Sequence, residues 1–193
     1  VLTRRRTIHK GSSKMTSHSK TFKIATAATI ALAICLLGIH RADAAKKKLP
    51  SVMDAKFSTI DGKAVTLKTM SKGKPVYLVF FASWCPVCIE EIPKNNAIFE
   101  KFSPKDITVV AVNIGDPPAL VQRLVKAKGI KYPIYLDTHK SAGLVFGMNG
   151  LPLTLAIDPR GRIVYRSPAV PGDNVLKSLI EVTKATKAAK QKK

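Results

Sequence analysis

This sequence predicts an α/β fold, a central mixed β-sheet flanked by helices on both faces, and three observations carry that expectation. Two unbroken apolar runs, 76–81 and 107–114, read as strands buried on both faces, as neighbours in a parallel sheet tend to be. Amphipathic stretches at 89–102 and 117–128 follow these runs with helical spacing. A strand pair at 153–157 and 162–166 and a terminal helix then close the chain, so the sheet is mixed rather than purely parallel.

The elements follow in order. Residues 45–54 read as a linker. Residues 56–60 and 64–67 form an N-terminal hairpin, because Asp61-Gly62 supplies the positive φ of a tight turn. Ser71-Lys72-Gly73-Lys74-Pro75 is a loop ahead of the first core strand. After the second core strand, Gly115-Asp116-Pro117-Pro118 opens a helix, with Asp116 as its cap and a proline in its first turn. Leu120, Val121, Leu124 and Val125 form that helix's apolar stripe, and Gly129 stops it. A short strand at 133–136 and a helical piece at 141–146 come next, and Asp158-Pro159-Arg160-Gly161 joins the closing strand pair. The last helix runs from Asp173 or Asn174 to Thr186. There are no internal repeats, so one domain at 55–185 is expected, with a basic, flexible tail at 186–193.

Residues 1–44 read as an N-terminal extension and a cleavable signal peptide. Lys20 and Lys23 precede a 16-residue apolar run at 24–39, shorter than the ~20 residues of a spanning helix. Ala42 and Ala44 have the spacing of a cleavage site. An uncleaved membrane anchor is the competing reading. Met15 makes a more ordinary start than Val1, Arg4-Arg5-Arg6 lies too far from the apolar run for a twin-arginine signal, and Cys35 has Ile34 where a lipoprotein signal needs a small residue. The protein is therefore expected to be periplasmic or otherwise extracytoplasmic.

The chain is basic, with a net charge of +21; from residue 45 onward 25 Lys and Arg face 11 Asp and Glu, still a net +14. Lys46-Lys47-Lys48 and the C-terminal lysines hold much of it, as solvated ends or as an attraction to anionic surfaces. An export signal and the lack of basic motifs interleaved with aromatics argue against nucleic acid as a partner.

The chemistry centres on Trp84-Cys85-Pro86-Val87-Cys88. A strand delivering a C-x-x-C onto a helix start puts the first thiol at the positive end of a helix dipole, where its thiolate is stabilised. Three cysteines occur in the chain, and Cys35 leaves with the signal, so one tight pair remains as a working redox couple. Cys85 is the expected nucleophile and Cys88, one turn further in and more buried, the resolving thiol. Pro86 suits the first helical position, which needs no intrahelical N–H bond. Trp84 either walls the site as a contact surface or packs in the core, and Pro93 kinks the helix. Zinc needs about four ligands, which a lone pair does not supply. After cleavage His139 is the one histidine left, and it makes a copper site with Cys85 and Cys88 conceivable but weak. Covalent haem attachment wants His where Ile89 stands. No metal ligand and no cofactor beyond the Cys85–Cys88 disulfide is expected.

Gly150-Leu151-Pro152-Leu153-Thr154 adds a proline just before a strand. With Glu91, Pro93, Val110-Ala111-Val112-Asn113, Tyr132-Pro133-Ile134-Tyr135-Leu136-Asp137 and Ile157-Asp158-Pro159-Arg160-Gly161-Arg162-Ile163-Val164, the ordered motifs from Phe57 to Glu181 resemble the TlpA/ResA family of extracytoplasmic thioredoxin-like thiol-disulfide oxidoreductases. The resemblance implies a thioredoxin-like fold, with residues 115–131 as its helical insertion after the second core strand. It makes Pro152 a cis-proline beside the cysteines and leaves the backbone of Leu151 free to pair with a substrate chain. It places Glu91 close to the active site with a role in proton handling or partner recognition, and a half-buried carboxylate there would be able to take the Cys88 proton. Val79 occupies the strand position where cytosolic thioredoxins carry a buried acid, which leaves Glu91 as the main acidic candidate.

The chain is expected to be a monomeric protein-disulfide reductase of exported proteins, and the family points to apocytochrome c or copper-assembly factors as substrates. Its electrons would come from a membrane thiol transporter of the CcdA or DsbD type. A DsbA-like oxidase and a copper or haem chaperone using the same thiols are the alternatives.

Overall fold

The computed structural model describes residues 51–191. The extension, the signal segment and the first part of the linker lie outside the described residues. Seven strands form one sheet in the order β2-β1-β5-β4-β3-β6-β7. They are β1 (Lys56–Ser58), β2 (Ala64–Thr66), β3 (Val76–Phe81), β4 (Thr108–Asn113), β5 (Ile134–Leu136), β6 (Leu153–Ile157) and β7 (Ile163–Ser167). The helices are α1 (Leu67–Ser71), α2 (Pro86–Glu90), α3 (Ile92–Phe102), α4 (Pro118–Lys128), α5 (Ser141–Leu144) and α6 (Asp173–Gln191).

Every residue of β3 is buried, and β3 is the central rail of the site. It pairs parallel with β4, Val76 opposite Thr108 through Phe81 opposite Asn113. On its other edge it pairs antiparallel with β6, Phe80 opposite Leu153. An all-apolar strand is stable here because both faces are covered. One face carries Tyr77, Val79 and Phe81 against Ile92, Ile98, Leu176 and Ile180 from α3 and α6. The other carries Leu78 and Phe80 against Phe57, Leu67, Ala142 and Phe146. Stacked and tilted rings of Phe57, Phe80 and Phe146, with centroids 5.2–6.3 Å apart, close that second layer.

Four expectations are corrected. The linker ends early: Val52–Asp54 is a 3-10 turn capped by Ser51, and it buries Met53. The second hairpin strand stops at Thr66, because Thr66 and Thr69 form a reciprocal cap that starts α1. The helix after the cysteines is two helices, α2 and α3, which meet at Glu91. The last helix continues to Gln191, so residues 186–191 are helical rather than a flexible tail. Gly129 does end α4 in the left-handed region, at φ 60°. Among the described residues no helix is long and apolar enough to cross a membrane.

Candidate active site

Cys85 and Cys88 are joined by a disulfide with their Cα atoms 5.3 Å apart. Ala82, Ser83 and Trp84 lead from the end of β3 to Cys85, which is the N-cap of α2 with Pro86 in the first turn. The Cys88 N–H points at Cys85 Sγ at 3.3 Å. Because α2 has only five residues, its macrodipole is small, and this direct N–H is the local donor that would stabilise a Cys85 thiolate. The two cysteines differ little in burial, 6% and 4% exposed, so burial alone does not set which attacks first.

A clamp that the sequence reading missed fixes the approach to Cys85. Asp116 does not cap α4; Pro117 holds that position and makes no side-chain cap. The Asp116 carboxylate instead accepts the Ser83 N–H at 2.7 Å, the Ser83 hydroxyl at 2.8 Å and the Asn113 amide at 2.7 Å. Asn113 closes the ring by accepting the Asp116 N–H at 3.1 Å, and the Ile114 N–H donates to Phe81 O at 2.9 Å. Burial pushes the Asp116 carboxyl up, but the bonds from Asn113 and Ser83 outweigh it and hold the group below the usual carboxylate range. An Asp ahead of two prolines looks like a cap, and the partner in Ser83 lies 33 residues away, so only the fold reveals the link.

The register places Pro152 at the same end of the sheet. Leu153 opposes Phe80, so Pro152 lies alongside the end of β3, from which the cysteine loop leaves. The Leu151–Pro152 peptide bond is cis. Leu151 packs against both faces of the core, and among the described residues its N–H and C=O have no hydrogen-bond partner. Trp84 is 67% exposed, which rules out the core-packing reading; with Pro86 and Val87 it forms an exposed apolar rim beside the disulfide.

Glu91 stands at the break between α2 and α3, three residues after Cys88, and is 9% exposed. Its Oε2 has no hydrogen-bond partner. Burial pushes its carboxyl above the ordinary range, against the opposing pull of the Val170 backbone and the Lys94 charge. Val79 is buried on β3, so no acid occupies that strand position. His139 is exposed after β5, and among the described residues no three His, Cys, Asp or Glu side chains converge as a metal site.

Comparison with known proteins gives this geometry a family. The Redoxin family profile matches residues 44–181. The thiol-disulfide oxidoreductase ResA of Bacillus subtilis is 32% identical over 137 residues, 68% of this chain and 76% of that protein. ResA of Bacillus thuringiensis is 30% identical over 105 residues, 54% of this chain and 60% of that protein. A thiol:disulfide interchange protein of the thioredoxin family from Chlorobium tepidum superposes with a TM-score of 0.57 at 25% identity, covering 68% of this chain and 97% of the other. StoA from Bacillus subtilis, at 23% identity and a TM-score of 0.55 over 67% and 98% of the two chains, supports the fold alone. The fold is thioredoxin-like, and the chain belongs to the redoxin family as a ResA-like thiol-disulfide oxidoreductase.

Proposed function

We propose that this protein is an extracytoplasmic protein-disulfide reductase that works through the Cys85–Cys88 pair. The observation that carries the reading is the tight disulfide set beside an exposed apolar rim and the unpaired backbone of Leu151. The rim of Trp84, Pro86 and Val87 gives an unfolded or extended partner a surface, and Leu151 offers it main-chain hydrogen bonds next to Pro152. The Cys85 thiolate attacks the partner's disulfide, forming a Cys85–partner bond and releasing one partner thiolate. Cys88 then gives its proton to the Glu91 carboxylate and attacks Cys85 Sγ. The Cys85–Cys88 bond forms, the Cys85–partner bond breaks, the second partner sulfur leaves as a thiolate that then takes up a proton, and two electrons have passed to the partner.

The leader read from the sequence supports export. Substrates would be exported proteins whose cysteines must stay reduced, such as apocytochrome c or copper-assembly factors, and a membrane thiol transporter of the CcdA or DsbD type would restore the dithiol. Two measurements test this. In glutathione or dithiothreitol buffers the couple should equilibrate near −270 mV or lower; a value near −120 mV would make the protein an oxidase instead. Cys88→Ser should trap mixed disulfides with partner proteins while Cys85→Ser traps almost none, and equal trapping would reverse or abolish the assigned order.

A further inference from the structure

The end of the sheet opposite the dithiol gathers positive charge that the exchange reaction does not use. Val76 stands opposite Thr108 and Ile157, so the loops entering β3 and β4 and the turn between β6 and β7 share that end, while Phe81 leads to the cysteines at the other. Exposed Lys72 and Lys105 stand in the two loops, and Lys74 Nζ donates from one loop to Pro104 O in the other. The turn adds exposed Arg160 and Arg162. α6 brings two more lysines to the same place: Lys184 pairs with Asp106 at 2.8 Å, and Lys187 lines a groove with Arg160 and Arg162. The acids here are Asp54, Asp106 and Asp158, and the last two are already engaged by Lys184 and Arg162. Arg160 and Lys187 have no ion pair among the described residues. The loops and first helical turns at the cysteine end are acidic by contrast, with Glu90, Glu91, Asp116 and Asp137 against Lys94 and Lys140.

Two further features turn this pole toward a surface. Exposed Val182 lies in the same groove, and exposed Val164 on the edge strand β7 continues it beside Arg162. The groove holds about 200 Å³, less than the ~300–1,000 Å³ of a small-molecule pocket, so its apolar walls suit an interface better than an enclosed ligand. The chain also enters the domain here. Ser51 and Met53 lie beside Pro159, and Gly161, at φ 84°, packs so near Met53 that an added β-carbon would come 2.9 Å from its Cγ. Residues 1–50 are therefore attached at this pole. The apolar run at 24–39 and Lys46-Lys47-Lys48 precede it in the sequence, and Lys190, Lys192 and Lys193 follow Lys187.

We propose that this pole is a docking surface for an anionic phospholipid bilayer, with Arg160, Arg162 and Lys187 at the lipid phosphates and Val182 and Val164 at the acyl boundary. Each Lys or Arg held near an anionic bilayer strengthens binding about fivefold, and the two valines add a small buried apolar area. β3 spans six residues, about 20 Å, between this pole and the cysteine loop. That is more than twice the Debye length of about 8 Å, so the lipid charge is largely screened at the dithiol, which faces away from the bilayer toward partner proteins. A contact made of single screened charges releases readily, which leaves the domain free to turn its dithiol to a membrane-bound electron donor.

Trp84 is the single tryptophan of the chain and sits at the cysteine end, so its fluorescence reads the orientation directly. The full chain is mixed at low ionic strength with phosphatidylcholine vesicles holding about a third phosphatidylglycerol, their acyl chains brominated to quench indole on contact. Trp84 should stay unquenched. The indole introduced by Val182→Trp in a Trp84→Phe background should be quenched, and vesicles of phosphatidylcholine alone should quench neither. In that second protein, Arg160→Gln with Lys187→Gln should raise the lipid concentration for half-quenching on the order of 25-fold, about fivefold for each charge. Arg123→Gln with Lys140→Asn, the same loss of charge elsewhere, should change it less than about twofold. Quenching of Trp84, none at position 182, equal quenching by neutral vesicles, or equal effects of the two charge-loss pairs would each overturn the proposal. Polyglutamate binding that depends on Arg160 and Lys187, with position 182 unquenched by lipid, would overturn it in favour of an acidic protein partner.

Discussion

Asp116→Ala is expected to destabilise the protein by about 2–3 kcal/mol and to loosen the cysteine loop. The carboxylate accepts three hydrogen bonds of 2.7–2.8 Å, two from Ser83 and one from Asn113. A bond to a charged acceptor is worth about 1.5–3 kcal/mol, so three would sum to more than 4 kcal/mol if taken at face value. That sum overcounts, because Asp116 is only half-buried and water can replace part of what alanine removes. Asp116→Asn keeps one acceptor oxygen and should cost about 1 kcal/mol. The pH dependence gives a second check. The folded carboxyl lies below its ordinary value of 3.8, so its contribution is full above that value and is lost as pH falls through the folded one. Urea unfolding at pH 7 and at pH 2–3 measures both quantities. The gap between wild type and Asp116→Ala should be full at pH 7 and should narrow in acid. A cost below about 0.5 kcal/mol at pH 7, or a gap that does not depend on pH, would refute the clamp.

Three further outcomes follow from the same geometry. Glu91→Gln should stabilise the oxidised protein at pH 7, on the order of 1 kcal/mol, because it replaces a buried carboxylate lacking one donor with a neutral amide. Its folded carboxyl is raised, so the wild-type penalty begins as pH rises through 4.5; the gain in thermal midpoint should be present at pH 7–8 and vanish near pH 4. Phe146→Ala should cost about 3–5 kcal/mol in chemical denaturation, since it empties one corner of the Phe57, Phe80 and Phe146 layer. Trp84→Ala should change stability by less than about 0.5 kcal/mol while raising KM for protein disulfides, because the ring is 67% exposed and contributes contact surface rather than packing.

The parts of the fold legible in the sequence were those whose pattern is local and strong. Residues 76–81 and 153–157 were read at the bounds the strands occupy, because unbroken apolar runs between turn signals leave little choice. The dithiol was legible because its spacing is contiguous, and Leu151-Pro152 and Glu91 because ordered motifs around them resemble a family. What escaped was built from residues far apart in the chain. Thr66 and Thr69 cap a one-turn helix between the hairpin strand and the loop, too short for an apolar period to mark it. Asn95 and Tyr77 read as an ordinary helix position and a core aromatic until β3 and α3 are packed together.

The break between α2 and α3 ties these observations together. Pro93 has no N–H, and its ring excludes a helical carbonyl at Ile89, so a single straight helix through 86–102 is forbidden. The chain resolves the conflict at Glu91, whose N–H turns back to both Ile89 O and Val87 O. α3 then starts afresh, with Asn95 N–H bonded to Glu91 O at 3.0 Å. One proline thus separates two tasks. The short α2 holds the dithiol at the surface end of β3, while α3 carries Asn95 down to Tyr77. Glu91, at the joint, is left with a buried carboxyl that neither helix satisfies. A reading of Pro93 as a passive kink misses that the joint itself sets the environment of the carboxyl three residues after Cys88.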